Sequence, residues 1–331
     1  MIKAGIAGLG RWGQVLVNAV QNKSDKIQFT AGCTGRREKA EAFCADRGID
    51  LRDGLADLLI DPDIDAVVLA TPHSQHADQV IAAAAAKKHT FIEKPFTLDR
   101  RSAQSAADAA RDSGVVLALG HNRRFHPAMI KLKEMVKAGA LGQILHIEGN
   151  LSAPGALRYD PRGWRADPDE SPAGGMTGMG IHVVDAFINL MGPVERVTAE
   201  SRRRVLDINI DDTTAMLFRF ESGALGYLGT MPATAALWRV QVFGTDGWAE
   251  MHNYDKLVVR KRLQDNSLQP EAITEYGPFD MERAELDAFA DACSGGPAYP
   301  LPPEDAVHGT AVLEAVVKSA VSDAPVLLKT I

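Results

Sequence analysis

Three side chains of this 331-residue chain are suited by type and spacing to moving protons. Lys94 stands in "FIEKP", between a run of strand-forming residues and a proline, and His182 and Asp185 stand in "GGMTGMGIHVVDAF". An ordinary histidine, with a pKa of about 6.5, can take or give a proton near neutrality. A lysine starts at about 10.4, and desolvation or a neighbouring positive charge must lower that value before it acts as a base. Both can also donate a hydrogen bond to a developing alkoxide or a polarised carbonyl. His182 and Asp185 are three residues apart and share a helix face. Read alone, His182 fits a core histidine as well as a proton-handling group. Asp185 fits a partner of a distant arginine as well as a support for the imidazole.

The amino-terminal end has a different chemistry. Gly8, Gly10 and Gly13 form Gly-x-Gly-x-x-Gly around Leu9, Arg11 and Trp12, between a short apolar strand and a helical run. Gly8 permits a tight turn, Gly10 lets backbone approach a pyrophosphate, and Gly13 allows close packing of helix on strand. The helix N-terminus then offers its N–H groups and partial positive charge to phosphate. At the end of the second strand stands "CTGRRE", with Thr34, Gly35, Arg36 and Arg37 where an acidic residue would bind the 2′-hydroxyl of NAD. Two arginines at a helix start oppose the helix dipole, whereas a 2′-phosphate would use them. NADP(H) is therefore expected over NAD(H), with NAD(H) as the alternative. Ligands of open α/β sheets lie beyond the carboxyl ends of strands. Ala70, Thr71, Pro72 and His76 in "ATPHSQH", and Glu93 and Lys94 after the next strand, are expected to border the same crevice.

These groups need a scaffold, and the first third of the chain supplies strands and helices in alternation: "KAGIAG", "RWGQVLVNAVQN", "IQFTAGC", "REKAEAFCADRG", "DAVVLAT", "SQHADQVIAAAAAKK", "HTFIEKP", "LDRRSAQSAADAARDSG", "VVLALG". Such alternation implies a doubly wound parallel sheet covered by helices on both faces. Past residue 121 the pattern changes. A helix in "PAMIKLKEMVKAG" precedes a strand in "QILHIEGNLS", then a loop rich in Pro, Gly and Arg, then a series of strands from Val194 to Arg260 with short turns. The turns suggest an open, largely antiparallel sheet. The fold class is thus α/β: a Rossmann domain over residues 1–121 and an α+β domain over 122–331. The second domain is expected to bind substrate and to form the oligomer contact.

Composition narrows the function. Hydrophobic content of 46% and charged content of 24% are those of a globular protein. A net charge of −7 opposes nucleic acid and anionic membranes as partners, and no apolar run approaches the roughly 20 residues of a membrane span. Three cysteines without Cys-x-x-Cys spacing fit a reducing, cytoplasmic setting. No metal site is expected.

Taken together, "GIAGLGRWG", "ATPHSQH", "FIEKPF" and "GGMTGMGIHVVD" resemble the glucose–fructose oxidoreductase / inositol dehydrogenase family in order and spacing over nearly the whole chain. The resemblance implies hydride transfer between a nicotinamide and a sugar, cyclitol or related polyol or keto compound. Glu93, Lys94 and Pro95 fill the family's Glu-Lys-Pro element, with Lys94 as catalytic lysine, and His182 fills the place of the catalytic histidine. "GHNRRFHP" resembles the element opening the second domain, which makes Asn122 and Arg124 candidates for substrate together with Asp185. "GWRADP" resembles a Trp-Arg element near the nicotinamide, which adds Trp164 and Arg165. Gly178 departs from the pattern, since the family commonly carries an aspartate four residues before the histidine. His126, Tyr159 and Asp160 are candidates to replace that carboxylate, and Arg158, Arg162 and Arg165 could hold hydroxyls or an anionic group. Oligomerisation as a homodimer or homotetramer through the second sheet is expected. Two other functions compete: a cofactor-bound sensor that has lost catalysis, and a glycoside-cleaving enzyme that oxidises its substrate transiently.

Overall fold

The computed structural model describes residues 1–331. It divides into two compact units, Met1–Asn122 with Asp280–Val307, and Arg123–Phe279 with His308–Ile331. In the first unit β1 (Ile2–Ala7) leads to α1 (Arg11–Val20), then β2 (Ile27–Cys33), α2 (Glu41–Arg47), β3 (Asp50–Leu51), α3 (Leu55–Ile60) and β4 (Ala66–Leu69). Next come α4 (His76–Ala85), β5 (His89–Glu93), α5 (Arg100–Ser113) and β6 (Leu117–Gly120). The six strands are parallel in the order β3-β2-β1-β4-β5-β6. β4 is buried along its whole length, as strands covered on both faces must be. Strand order reverses between β1 and β4, the point at which open α/β sheets form their ligand crevice. The short β3 and α3 carry too few residues for a periodic signal in the sequence.

The second unit opens with α6 (Pro127–Lys137) and β7 (Ile144–Ser152), and a long loop then leads to α7 (Ile181–Met191). The strands β8 (Val194–Arg202), β9 (Thr213–Phe220), β10 (Leu225–Met231), β11 (Leu237–Gly244), β12 (Gly247–His252), β13 (Lys256–Lys261) and β14 (Ala272–Glu275) follow. The chain then forms α8 (Met281–Cys293), α9 (Pro303–Ser322) and β15 (Val326–Leu327). The nine-stranded sheet has the order β14-β13-β12-β11-β7-β10-β9-β8-β15. Every pair in it is antiparallel except β7 with β10. The long connection through α7 gives that exception, because a crossover can return the chain in the same direction.

One face of this sheet is dry. Ile147, Met216, Phe218, Leu228, Val240 and Val242 pack with Val183, Val184 and Phe187 of α7 and with Val312 and Val316 of α9. Phe187 meets Phe218 edge-on, with ring centroids 5.7 Å apart. α7 lies directly on β7, since a Cβ at Gly149 would stand 2.3 Å from Cγ1 of Val183. On the opposite face Leu217, Leu225 and Tyr227 are exposed, with Leu217 and Tyr227 paired across β9 and β10.

The chain leaves the first unit after Asn122 and returns to it for 280–307, so the second unit is not the unbroken 122–331 of the sequence expectation. Side-chain packing explains the return. Phe289 of α8 packs edge-on against Phe91 at 5.7 Å, and the Tyr299 hydroxyl donates to the Leu119 carbonyl at 3.1 Å. No helix is long and apolar enough to cross a membrane.

Candidate active site

The crevice of the first unit is shaped by close backbone approach. Gly8 has φ +101°, and a Cβ there would stand 2.3 Å from the Ala70 carbonyl oxygen. Only glycine fits both restrictions. The Gly8 N–H donates to the Cys33 carbonyl at 2.9 Å, so the turn after β1 touches the ends of both β2 and β4. Gly13 packs as tightly, since its Cβ would reach 2.0 Å from the Gly8 oxygen. Gly10 differs, because a Cβ there would meet nothing within 4 Å. It is the N-cap of α1, and no side chain caps that helix. An uncapped N-terminus on a ten-residue helix beside open space fits a pyrophosphate. Leu9 is buried, Trp12 is half-buried and Arg11 is exposed.

Past β2, Thr34 is half-buried while Gly35, Arg36 and Arg37 are exposed. The arginines are not equivalent. Arg37 is paired, with Nη1 3.1 Å from Asp53 and Nε 3.7 Å from Glu41. Arg36 has no ion-pair or hydrogen-bond partner for its guanidinium.

Beyond β4 and β5 the chain is held by α4. The Thr71 hydroxyl donates to Oε1 of Gln79 at 2.6 Å. Gln79 is a contributor that the sequence reading missed, although it follows His76 at a helical spacing of three. His76 is 1% exposed, and both ring nitrogens meet main-chain carbonyls, Pro95 at 2.9 Å and Thr71 at 3.1 Å. Expected at the cofactor, it is directed at the backbone instead, because it starts the helix that follows Thr71. Lys94 is half-buried and its bond to Pro95 is cis. Glu93 is buried, and desolvation pushes its carboxyl above the usual range. The Lys94 charge and the neighbouring Trp12 oppose that shift, while Glu282 adds to it. Asn122, a candidate for substrate, donates from Nδ2 to Glu282 at 2.9 Å within the same unit.

In the second unit, Met176–Gly180 forms a π-helical turn that runs into α7. Such turns recur at functional sites. The surrounding glycines serve different ends. Gly174 has φ +50°, and a Cβ there would overlap the Asp211 carbonyl, so its role is packing. At Gly178 a Cβ would meet nothing within 4 Å, so a carboxylate would have room there. His182 is buried at 6% exposure in the first turn of α7.

Asp185 is the partner of a distant arginine. Nε of Arg124 lies 2.9 Å and 3.0 Å from its two carboxylate oxygens, and Nη2 lies 2.8 Å from Oδ1. The two side chains are 4% and 7% exposed, so they form a buried bidentate pair. Arg124 and Asp185, both expected at substrate, thereby fasten α7 to the segment before α6. His126 is occupied too: its Nδ1 caps α6 by accepting from the Ala128 N–H at 3.2 Å. Burial lowers its pKa, which suits the neutral, accepting form.

The loop before α7 is ordered by its own contacts. The Arg165 guanidinium stacks on Trp164 at 4.1 Å, and Tyr159 packs on a small core of Ala156, Leu206 and Ile210. Asp160 lies 3.7 Å from Arg162, whose side chain is 94% exposed, and Arg158 is exposed. No group of three or more His, Cys, Asp or Glu is placed to hold a metal.

Fold and turn geometry define the class, a Rossmann-type dinucleotide-binding protein. Residues 2–121 match the oxidoreductase family with an NAD-binding Rossmann fold, and residues 129–250 match the GFO/IDH/MocA C-terminal domain. A myo-inositol 2-dehydrogenase of Thermotoga maritima is 31% identical over 258 residues, 74% of each chain. A D-xylose 1-dehydrogenase (NADP(+)) of Haloferax volcanii is 29% identical over 329 residues, 98% of each chain. A solved oxidoreductase of Desulfitobacterium hafniense superposes with a TM-score of 0.91 at 26% identity, over 100% of this chain and 98% of that one. The chain belongs to the Gfo/Idh/MocA oxidoreductase family.

Removing the carboxylate charge breaks the buried bidentate pair, and breaking such a pair is strongly destabilising. Asp185→Asn is expected to destabilise the protein by about 3–5 kcal/mol, read as a lower urea midpoint. A loss below about 1 kcal/mol would show that the pair does not hold α7.

Proposed function

We propose that the enzyme transfers hydride between NADP(H) and a hydroxyl- or carbonyl-bearing carbon of a sugar, cyclitol or related polyol. The carrying observation is Lys94, half-buried at the carboxyl end of β5, in a unit whose crevice fits a dinucleotide. The similar inositol and xylose dehydrogenases support the substrate class. When bound, the nicotinamide supplies the hydride acceptor or donor. The protein handles the proton: in oxidation Lys94 or His182 takes it from the substrate hydroxyl, and in reduction returns it to the oxygen. Trp164 and Arg165 are read as nicotinamide-side contacts. Gly178 brings no carboxylate to this task.

Arg36 supports the preference for NADP(H). Its guanidinium is exposed and uncommitted, next to a Thr-Gly turn at the end of β2, and a 2′-phosphate suits it. The free thiols of Cys33, Cys44 and Cys293 support a reducing, cytoplasmic setting. The exposed Leu217, Leu225 and Tyr227 support pairing of two copies through the outward sheet face.

Three measurements test this reading. Lys94→Met should lower kcat on a responsive polyol by about 10²–10⁴-fold, and unchanged turnover would remove Lys94 from the chemistry. Arg36→Ala should weaken NADP(H) binding by roughly 10–100-fold while leaving NAD(H) unchanged. An unsubstituted protein that binds NAD(H) at least as tightly would overturn the preference. Light scattering at micromolar concentration should give at least a dimer; a monomer would contradict the pairing.

A further inference from the structure

We propose that His126 is a pH-sensitive helix cap: with a bare Nδ1 it closes the first turn of α6, and its protonation opens that turn and loosens the segment carrying Arg124. The stretch "HPAMIK" sets this up. Pro127 at the first helical position has no N–H, so Ala128 supplies the first free donor of the helix. Nδ1 of His126 accepts that N–H at 3.2 Å, and the His126 carbonyl accepts from Met129 at 2.9 Å and Ile130 at 3.0 Å. The usual caps, Ser, Thr, Asp and Asn, keep an accepting oxygen from neutral to mildly acid pH. A histidine with an ordinary pKa of about 6.5 loses its acceptor within that range.

The protonation state follows from the donor. A backbone N–H only donates, so the nitrogen that receives it carries no proton, whatever else the ring touches. Ala128 is 0% exposed, so its N–H cannot turn to bulk water when the imidazole becomes charged. An unmade buried hydrogen bond and a positive charge against a helix N-terminus are both unfavourable. The ring itself is buried among Tyr254, Tyr276 and Phe279, whose ring centroids lie 6.5, 6.0 and 5.9 Å from its own. Burial favours the neutral form and Asp255 opposes it, with burial the larger effect. Of the charged groups around this cluster, Arg123 donates from Nε to the Tyr254 hydroxyl at 3.0 Å, and Lys131 and Glu134 act on the Tyr276 phenol with opposite signs. The unfolded chain therefore takes up the proton first. Stability from the cap is complete above about pH 6.5 and is lost as the pH falls below that value. Arg124 stands two residues before the cap and grips Asp185, so an opened turn loosens the hold on α7.

No part of this device needs the proposed reaction, and amide hydrogen exchange reads it without substrate. The full-length protein is measured at about pH 8 and about pH 5.5, each rate being divided by that of an unfolded peptide at the same pH. Protection over residues 128–131 should fall roughly tenfold on acidification, and protection over residues 181–186 of α7 should fall with it. His126→Asn has a cap that does not titrate, and its protection should stay within about twofold across the same range. Protection in the parent that is constant with pH, or that is lost equally in His126→Asn, overturns the proposal. A loss confined to α6 overturns the transmission to α7. Should the variant fail to fold, neutron diffraction from perdeuterated crystals of the parent at about pD 8 reads the ring directly. Deuterium on Nε2 alone is expected, and deuterium on Nδ1 overturns the cap.

Discussion

The contact on which the nucleotide crevice depends is the approach of Gly8 to the Ala70 carbonyl. A methyl group at Gly8 would stand 2.3 Å from that oxygen, so any side chain would push the turn after β1 away from the end of β4. The same turn is bonded to the end of β2 through Cys33. Three strand ends thus converge on one residue that lacks a Cβ. The N-terminus of α1 starts two residues later, with its N–H groups facing the space left by Gly10. Dinucleotide binding draws on that convergence and on the helix dipole.

Around this turn the first unit spends polar groups on its own backbone. Gln79 and His76 hold the end of β4, and His76 also holds Pro95. Glu93 is buried beside Lys94, with desolvation favouring its protonated form. Arg37 is committed to Asp53 and Glu41, which leaves Arg36 as the uncommitted cation.

In the second unit the comparable constraint is the buried pair of Arg124 and Asp185. It fixes α7 at the turn that presents His182, while Val183, Val184 and Phe187 bury the rest of that helix on the sheet. The π-helical turn before α7 places Gly178 where a Cβ would meet open space. Its missing carboxylate is therefore a matter of residue choice, since sterics would permit one. Gly174, by contrast, is required by its backbone angle and by the nearby Asp211 carbonyl.

The sequence by itself determined everything that is written locally. Strand and helix alternation specified the parallel sheet, the glycine spacing located the nucleotide turn, and "FIEKP" with "GIHVVD" marked Lys94 and His182 for attention. Those features survive because hydrophobic period and backbone freedom act over a few residues. Contacts between distant segments were decided only by tertiary packing. Arg124 and Asp185 lie 61 residues apart, and no spacing rule pairs them. The return of 280–307 to the first unit depends on Phe289 and Tyr299 meeting Phe91 and Leu119, which no local pattern encodes. The parallel pairing of β7 with β10 depends on where a crossover lands. A side chain's type announces what it can bond to; which group it does bond to is settled by what the fold brings within about 3 Å.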